Sequence, residues 1–272
     1  MGPDLSDDAQ LASYLAVGAG RVLLDLREDV GFGDSRQLKR LGDARAHRHL
    51  VTALARHRPG DAVLSEEGVD DPGRLEASRV WIVDPLDGTR EFSEEGRTDW
   101  AVHVALWAEG RLTAGAVAIP ARDTVLTTAG PPPPASGGAS ARTGGVGTST
   151  GGRRLRLAVS RSRPPALTGP LAATLDAELV PMGSAGVKIA AVVQGAADAY
   201  VHAGGQYEWD SAAPVAVALA HGFHASRIDG SPLEYNKKGA WLPDLVVCRQ
   251  EDRERLVAAI QDARTASPEE PS

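Results

Sequence analysis

Apolar residues recur at helical spacing near the start of the chain. Leu11, Tyr14, Leu15, Val22 and Leu26 fall near one face and predict a helix over about residues 7 to 28. Ser6 is placed to cap it, and Asp7 and Asp8 suit the positive end of its dipole. Leu50, Val51 and Leu54 form the stripe of a second helix, from about Asp43 to His57, which Pro59-Gly60 stops. The pattern then turns to strands: Ala62-Val63-Leu64, the continuous apolar run Val80-Trp81-Ile82-Val83, and a hairpin over 100–120 with its turn at Ala108-Glu109-Gly110-Arg111. Val80–Val83 reads as buried on both faces and ends at Asp84-Pro85, with Trp81 in the core.

Residues 130–152, rich in Pro, Gly, Ser and Thr, cannot bury a core and read as a surface loop or linker. Order resumes at the strand Leu155–Val159. A helix follows over Ala185–Gln194, another from near Asp210 to His221-Gly222, a turn at Asp229-Gly230, and a last helix over about Glu251–Arg264. The tail SPEEPS reads as disordered. The chain is mixed α/β in two halves, 1–152 and 153–272.

Composition narrows the class. The 272 residues are 42% hydrophobic and 24% charged, as in ordinary globular proteins, and aromatics make up only 4%, so the core is aliphatic. A net charge of −7 argues against binding a nucleic-acid polymer. No apolar run is long enough for a membrane span, and the acidic start lacks a signal peptide's basic region. The single cysteine, Cys248, lies in an apolar run, permits no intrachain disulfide and suits a reducing cytoplasm.

Carboxylates cluster at the ends of apolar runs in three places: Ser65-Glu66-Glu67, Asp84-Pro85-Leu86-Asp87-Gly88-Thr89, and Glu208-Trp209-Asp210. Strand ends in α/β folds face ligand crevices. Carboxylates gathered there repel one another unless protons or cations intervene. Hard oxygen ligands favour magnesium, calcium or manganese, and no Cys/His cluster offers a zinc site. Asp84 and Asp87 can reach adjacent ions, the Leu86 carbonyl can turn inward, and Gly88-Thr89 opens a short helix whose free N–H groups suit a phosphate. No strand is followed by Gly-x-Gly-x-x-Gly, which weighs against a dehydrogenase.

WIVDPLDGTREF resembles the signature of the inositol monophosphatase superfamily, LSEEG its Glu-Glu strand end, and EWDSAAPVAVALAHG its C-terminal signature. Order and spacing agree from about residue 40 to 235. Within the superfamily the chain is most similar to the CysQ-type 3'(2'),5'-bisphosphate nucleotidases, actinobacterial ones in particular. The resemblance implies alternating helix and sheet layers with metals where the two halves meet. It implies two or three Mg2+ ions on Glu66, Asp84, Asp87, Asp210 and the Leu86 carbonyl. It implies that Asp43, opening the second helix, pairs with Thr89 beside the nucleophilic water, with Glu67 near the same water or a further ion. The expected reaction removes the 3'-phosphate of 3'-phosphoadenosine 5'-phosphate, giving AMP and phosphate, by in-line attack of a metal-activated water. Thr89 would pass the water's proton to Asp43. Lithium sensitivity, a place in sulfur metabolism, a cytoplasmic location and a homodimer are further expectations.

For the substrate, Gly88, Thr89 and Asp210 would meet the phosphate. Ser184, at a helix start, and Lys188 would meet the nucleotide or a second anion. Lys188 read alone is equally an exposed helix lysine. Arg161 and Arg163 are candidates for the 5'-phosphate, against the plainer reading of surface arginines, and Tyr207 or Trp209 could border the adenine. His202 and Gln206 stand nearby without a role. Competing readings are an inositol monophosphatase, a fructose-1,6-bisphosphatase, and a catalytically silent nucleotide- or metal-binding regulator.

Overall fold

The computed structural model describes residues 4–130 and 154–266. The expected linker over 130–152, save Gly130, and the tail from Ser267 lie outside the described residues. Helix α1 (Asp8–Val30) buries Leu11, Leu15, Leu23 and Leu26. Tyr14 is exposed instead. The cap is Asp7 rather than Ser6: its carboxylate accepts from the Gln10 N–H, and Ser6 itself is turned toward Asp4. Helix α2 (Ser35–His57) begins eight residues earlier than the pattern predicts, because Asp34 caps it with two bonds of 3.0 Å to the Arg36 and Gln37 N–H groups. Asp43 therefore lies in mid-helix and does not open it. The buried stripe of α2 runs Leu38, Gly42, Ala46, Leu50, Leu54.

The first sheet has the order β1-β2-β3-β4-β5. Its strands are β1 (Ala62–Ser65), β2 (Arg79–Asp87), β3 (Ala101–Ala108), β4 (Arg111–Ile119) and β5 (Thr124–Thr127). β1 and β2 are parallel and the other pairs antiparallel. The β3–β4 hairpin turns at Glu109-Gly110, both with positive φ, as a two-residue turn requires. The second sheet has the order β7-β6-β8-β10-β9. It contains β6 (Arg156–Ser160), β7 (Glu178–Met182), β8 (Ala199–Tyr207), β9 (His224–Ser226) and β10 (Trp241–Cys248). The remaining helices are α3 (Thr89–Phe92), α4 (Thr168–Leu175), α5 (Ala185–Val193), α6 (Glu208–Ala220) and α7 (Arg253–Ala266).

Three apolar clusters define the layers. Leu11, Leu15, Leu23 and Leu50 of α1 and α2 meet Trp81, Val83, Val104 and Leu106 on one face of the first sheet. Val80, Ile82 and Ala105 on its other face meet Val187, Val192, Ala213 and Val217 of α5 and α6, which in turn meet Tyr200, Leu245 and Val247 of the second sheet. The outer face of that sheet, with Val159, Val246 and Cys248, is closed by Leu171 of α4 and Leu256 and Ile260 of α7. The result is helix, sheet, helix, sheet, helix. β2 sends alternate residues into different clusters, which is why its sequence is a continuous apolar run. Cys248 is a buried core thiol that burial pushes up to about 12. No helix among the described residues is long and apolar enough to cross a membrane.

Candidate active site

β2 does not stop at Asp84-Pro85; it continues to Asp87 through an irregularity. Asp84 pairs with His103 and Asp87 with Ala101, so three steps along β2 match two along β3. Strict alternation would send Asp84 and Asp87 to opposite faces. The extra residue re-aims one of them, as bulges do. The Leu86 N–H donates to Asp84 Oδ1 at 2.9 Å and tightens the turn. Gly42 of α2 presses on this turn, since a Cβ there would come within 2.9 Å of Leu86 and 2.8 Å of Phe92.

Asp210 arrives from α6, whose first turn is held by side chains. Pro214 has no N–H to return to the Asp210 carbonyl. Instead Asp210 Oδ2 accepts from the Tyr207 N–H at 2.7 Å. Fully buried Glu208 accepts from the Asn236 and Lys237 N–H groups, both at 2.7 Å. Asn236 Oδ1 in turn accepts from buried Arg74 at 2.7 Å. Arg74 lies in the 3-10 turn Pro72–Glu76, between β1 and β2. This chain of buried polar groups ties the start of α6 to the first sheet's side of the site.

Asp84, Asp87 and Asp210 each present a carboxylate oxygen, all within 4.8 Å of one another. Burial, with repulsion from Glu66, Asp87 and Asp210, drives Asp84 well above the carboxylate range. Asp210 is pushed to about 7 by burial and by Asp87. Glu66 also rises to about 7, first through burial, with a hydrogen bond to Asp84 opposing; its exposed position at the strand end lets solvent temper the effect. Asp43 rises to about 7 through burial and repulsion from Glu67, partly offset by Lys39. Such a donor set, all hard oxygen and anionic, fits a divalent cation that would take the place of those protons.

Asp87 is the exception. Burial works to raise it, but His103, Lys188 and Ser184 outweigh that and hold it at about 2. Its Oδ2 accepts from Ser184 Oγ at 2.5 Å and the Gly186 N–H at 2.7 Å and lies 3.2 Å from His103 Nε2. Among the described residues its Oδ1 accepts only from the Ala185 N–H, at 3.1 Å, and so keeps a lone pair for a cation. His103 is set by a contact of 3.1 Å between Nδ1 and the Trp209 carbonyl. Gly186 leaves room for its ring, because a Cβ would lie 2.0 Å from Nε2. A lone histidine inside an apolar strand carries no signal of this role in the sequence.

Two expectations change. The Thr89 hydroxyl donates to the Leu86 carbonyl at 3.1 Å, and no hydrogen bond joins it to Asp43 among the described residues. The two groups are thus not paired in this arrangement, and Thr89 takes one lone pair of the Leu86 carbonyl, leaving the other for a cation. Arg161 is not available for a phosphate: it is bound to Glu91 at 2.7 Å and Glu94 at 3.1 Å.

A cleft of about 650 Å³ opens beside the triad, lined among others by Asp87, Gly88, Thr89, Ser184, Lys188 and Asp210. Arg163, exposed, lies on the same cleft with Ser160 and Ser162. Lys188 is not an exposed helix lysine. It is 5% exposed, donates to the Ser184 carbonyl at 2.7 Å and stands 5.3 Å from the Tyr200 ring centre. Burial lowers its pKa, with Asp87, Glu91 and Asp210 opposing. Tyr207 and Trp209 do not line the cleft; they stack on each other, 4.6 Å between ring centres, with Trp241 edge-on to Tyr207.

The model of the inositol monophosphatase family matches residues 34–265. A Mycobacterium leprae protein named 3'-phosphoadenosine 5'-phosphate phosphatase is 52% identical over 264 residues, covering 94% of each chain. The 3'(2'),5'-bisphosphate nucleotidase CysQ of Escherichia coli K12 is 32% identical, over 74% of this chain and 80% of its own. Among solved structures, CysQ from Bacteroides thetaiotaomicron, a bacterial member of the inositol monophosphatase family, superimposes with a TM-score of 0.72 at 27% identity, covering 88% of this chain and 96% of its own. The chain belongs to the inositol monophosphatase family.

Proposed function

We propose that this member of the inositol monophosphatase family is a magnesium-dependent phosphatase that hydrolyses the 3'-phosphate of 3'-phosphoadenosine 5'-phosphate, leaving AMP and phosphate. The observation that carries the chemistry is the triad of buried Asp84 and Asp87 and half-buried Asp210, opening on a cleft that also holds Lys188 and Arg163. The substrate is supported by the 52% identity to the Mycobacterium leprae phosphatase over nearly the whole chain.

Asp84, Asp87 and Asp210 would hold the cations, with Glu66 at their edge. When bound, magnesium supplies charge neutralisation at the phosphoryl oxygens and a more acidic water. The chain's own groups do the rest. Ser184 and the Ala185 and Gly186 N–H groups keep Asp87 ionised and oriented. Gly88 and Thr89, at the start of α3, present N–H groups to the scissile phosphate. Lys188 supplies a buried positive charge at the cleft wall, and Arg163 is placed for the second phosphate. Asp43, whose pKa is raised by burial and by repulsion from Glu67, would with Glu67 form a site for the water's proton. The Thr89 hydroxyl would have to release the Leu86 carbonyl to take part in that transfer. The single buried thiol, Cys248, is consistent with work in the cytoplasm.

The test is phosphate release from 3'-phosphoadenosine 5'-phosphate, inositol 1-phosphate and fructose 1,6-bisphosphate, side by side, with and without magnesium. Preference for the nucleotide that vanishes without metal is the expected result. Equal or better turnover of inositol or fructose phosphate would keep the metal chemistry and overturn the substrate.

A further inference from the structure

Between β8 and α6 the cleft wall changes character. Ala203 pairs with Asp244 and Gln206 with Leu242, so Gly204 and Gly205 form a bulge. Both glycines have positive φ, 111° and 85°. Gly204 faces open space, with nothing within 4 Å of where a Cβ would stand. Gly205 is sealed from behind by the Trp241 ring, which a Cβ would meet at 1.8 Å. His202 is fixed beside them by a contact of 2.9 Å between Nε2 and the Gly205 carbonyl. The bulge therefore gives the cleft a firm floor that is bare of side chains.

Gln206 closes this floor. It is 8% exposed and lines the cleft, yet its side-chain Nε2 is buried and has no hydrogen-bond partner among the described residues. An unpaired buried amide costs about 1–3 kcal/mol, so its place on the wall of a ligand cleft points to a partner that arrives with the ligand. A carboxamide offers a donor and an acceptor side by side. Adenine offers the complement: an amino group beside a ring nitrogen. A phosphate offers only acceptors, and Lys188 and Arg163 already answer those.

We propose that Gln206 reads the base, its carboxamide pairing with the amino and ring-nitrogen edge of adenine while the ring lies over Gly204-Gly205. The proposal rests on the reading of the substrate as an adenine nucleotide. It makes Gln206 a specificity residue and gives it no part in the chemical step.

The experiment compares wild type with Gln206→Leu on two substrates, 3'-phosphoadenosine 5'-phosphate and its analogue whose purine lacks the 6-amino group, with inhibition by inorganic phosphate measured alongside. For Gln206→Leu, KM for the adenine substrate is expected to rise about ten- to a hundredfold with kcat nearly kept, as when a hydrogen-bonding site loses its partner. Loss of the amino group is expected to penalise the wild type by a similar factor and the variant hardly at all. Inhibition by phosphate should be unchanged, which also shows that the variant is folded at the metal site. An unchanged KM, an amino-group penalty that survives in the variant, or a parallel loss of phosphate affinity would each overturn the role. If the wild type itself ignores the nucleotide, the substrate reading fails, and this proposal with it. A wild type that prefers the nucleotide, with a variant that keeps the preference, sinks the Gln206 role alone.

Discussion

The Ser184 hydroxyl donates to Oδ2 of Asp87 at 2.5 Å, joining side chains 97 positions apart. The same oxygen of Ser184 accepts from the Val187 N–H at 3.0 Å and so caps α5. One hydroxyl thus fixes a helix start in the second half of the chain against a carboxylate of the first. Ser184 does this from a positive φ of 49°, a strained position for a residue with a side chain.

Ser184→Ala is expected to raise the magnesium concentration for half-maximal activity several-fold and to destabilise by roughly 1 kcal/mol through the lost cap. Ser184→Gly relieves the backbone and costs little as a cap, yet also loses the Asp87 bond. Activity titrated against magnesium in both variants separates the effects. An equal rise in both assigns it to the hydroxyl; a rise in alanine alone assigns it to the helix.

Asp210→Asn preserves volume and can still accept from the Tyr207 N–H, so the start of α6 should survive. Removing the charge from the triad is expected to lower activity at limiting magnesium by about a hundredfold or more, since the lost term is charge stabilisation in a buried site. The check is the rate as a function of magnesium with the melting temperature as a control. Full activity at low magnesium would remove Asp210 from the metal set.

The crowded carboxylates also set how stability depends on pH. Asp43, Glu66 and Asp210 rise to about 7 in the folded protein, and burial with carboxylate repulsion drives Asp84 well above its usual range. A raised carboxyl contributes stability below its unfolded value, near 4, and loses it as pH climbs through the folded value. Asp87, held at about 2, acts oppositely, losing its contribution only as pH falls through that value, so it stays constant above pH 5. Metal-free protein should therefore lose stability from pH 5 to pH 8. At about 2–4 °C per kcal/mol, a drop of about 5 °C or more is expected in melting temperature, and saturating magnesium should largely abolish it. A flat metal-free profile would mean that the carboxylates do not repel one another as the geometry requires.

Much of this site was legible in the sequence because it is local. Asp84-Pro85-Leu86-Asp87 and Glu208-Trp209-Asp210 carry their chemistry in consecutive residues, and each lies at the end of an apolar run. The layered fold was legible for a similar reason, since Val80–Val83 declares a strand buried on both faces. What escaped depends on distant residues meeting. His103 reaches Asp87 across the sheet. Arg74, Asn236 and Glu208 form one buried network from three separated segments. The early start of α2 was hidden because its first turns bury only Leu38, Gly42 and Ala46, a narrow stripe of mostly small residues with little apolar contrast. Lys188 could be read equally as a substrate contact or an exposed lysine, although α5, AGVKIAAVV, is apolar at all its other positions and such a helix is buried all round.

Arg161 and Arg163 stand two residues apart and should behave differently when removed. Arg161 binds Glu91, which is 5% exposed, and the more exposed Glu94. Arg161→Ala would strand the Glu91 carboxylate and is expected to cost roughly 1–3 kcal/mol of stability, with little change in substrate preference. Arg163 has no such partner among the described residues, and its side chain lies on the cleft. Arg163→Ala should leave stability within about 0.5 kcal/mol, as for ordinary surface changes. It should raise KM for 3'-phosphoadenosine 5'-phosphate about tenfold while leaving 3'-AMP, which lacks the second phosphate, nearly unaffected, since one charge-assisted contact is lost. Measuring KM for both nucleotides in both variants decides the assignment. If Arg161→Ala alone shifts the ratio of the two constants, the second phosphate is held on the Glu91 side of the cleft, and the ion pairs seen here must open when substrate binds.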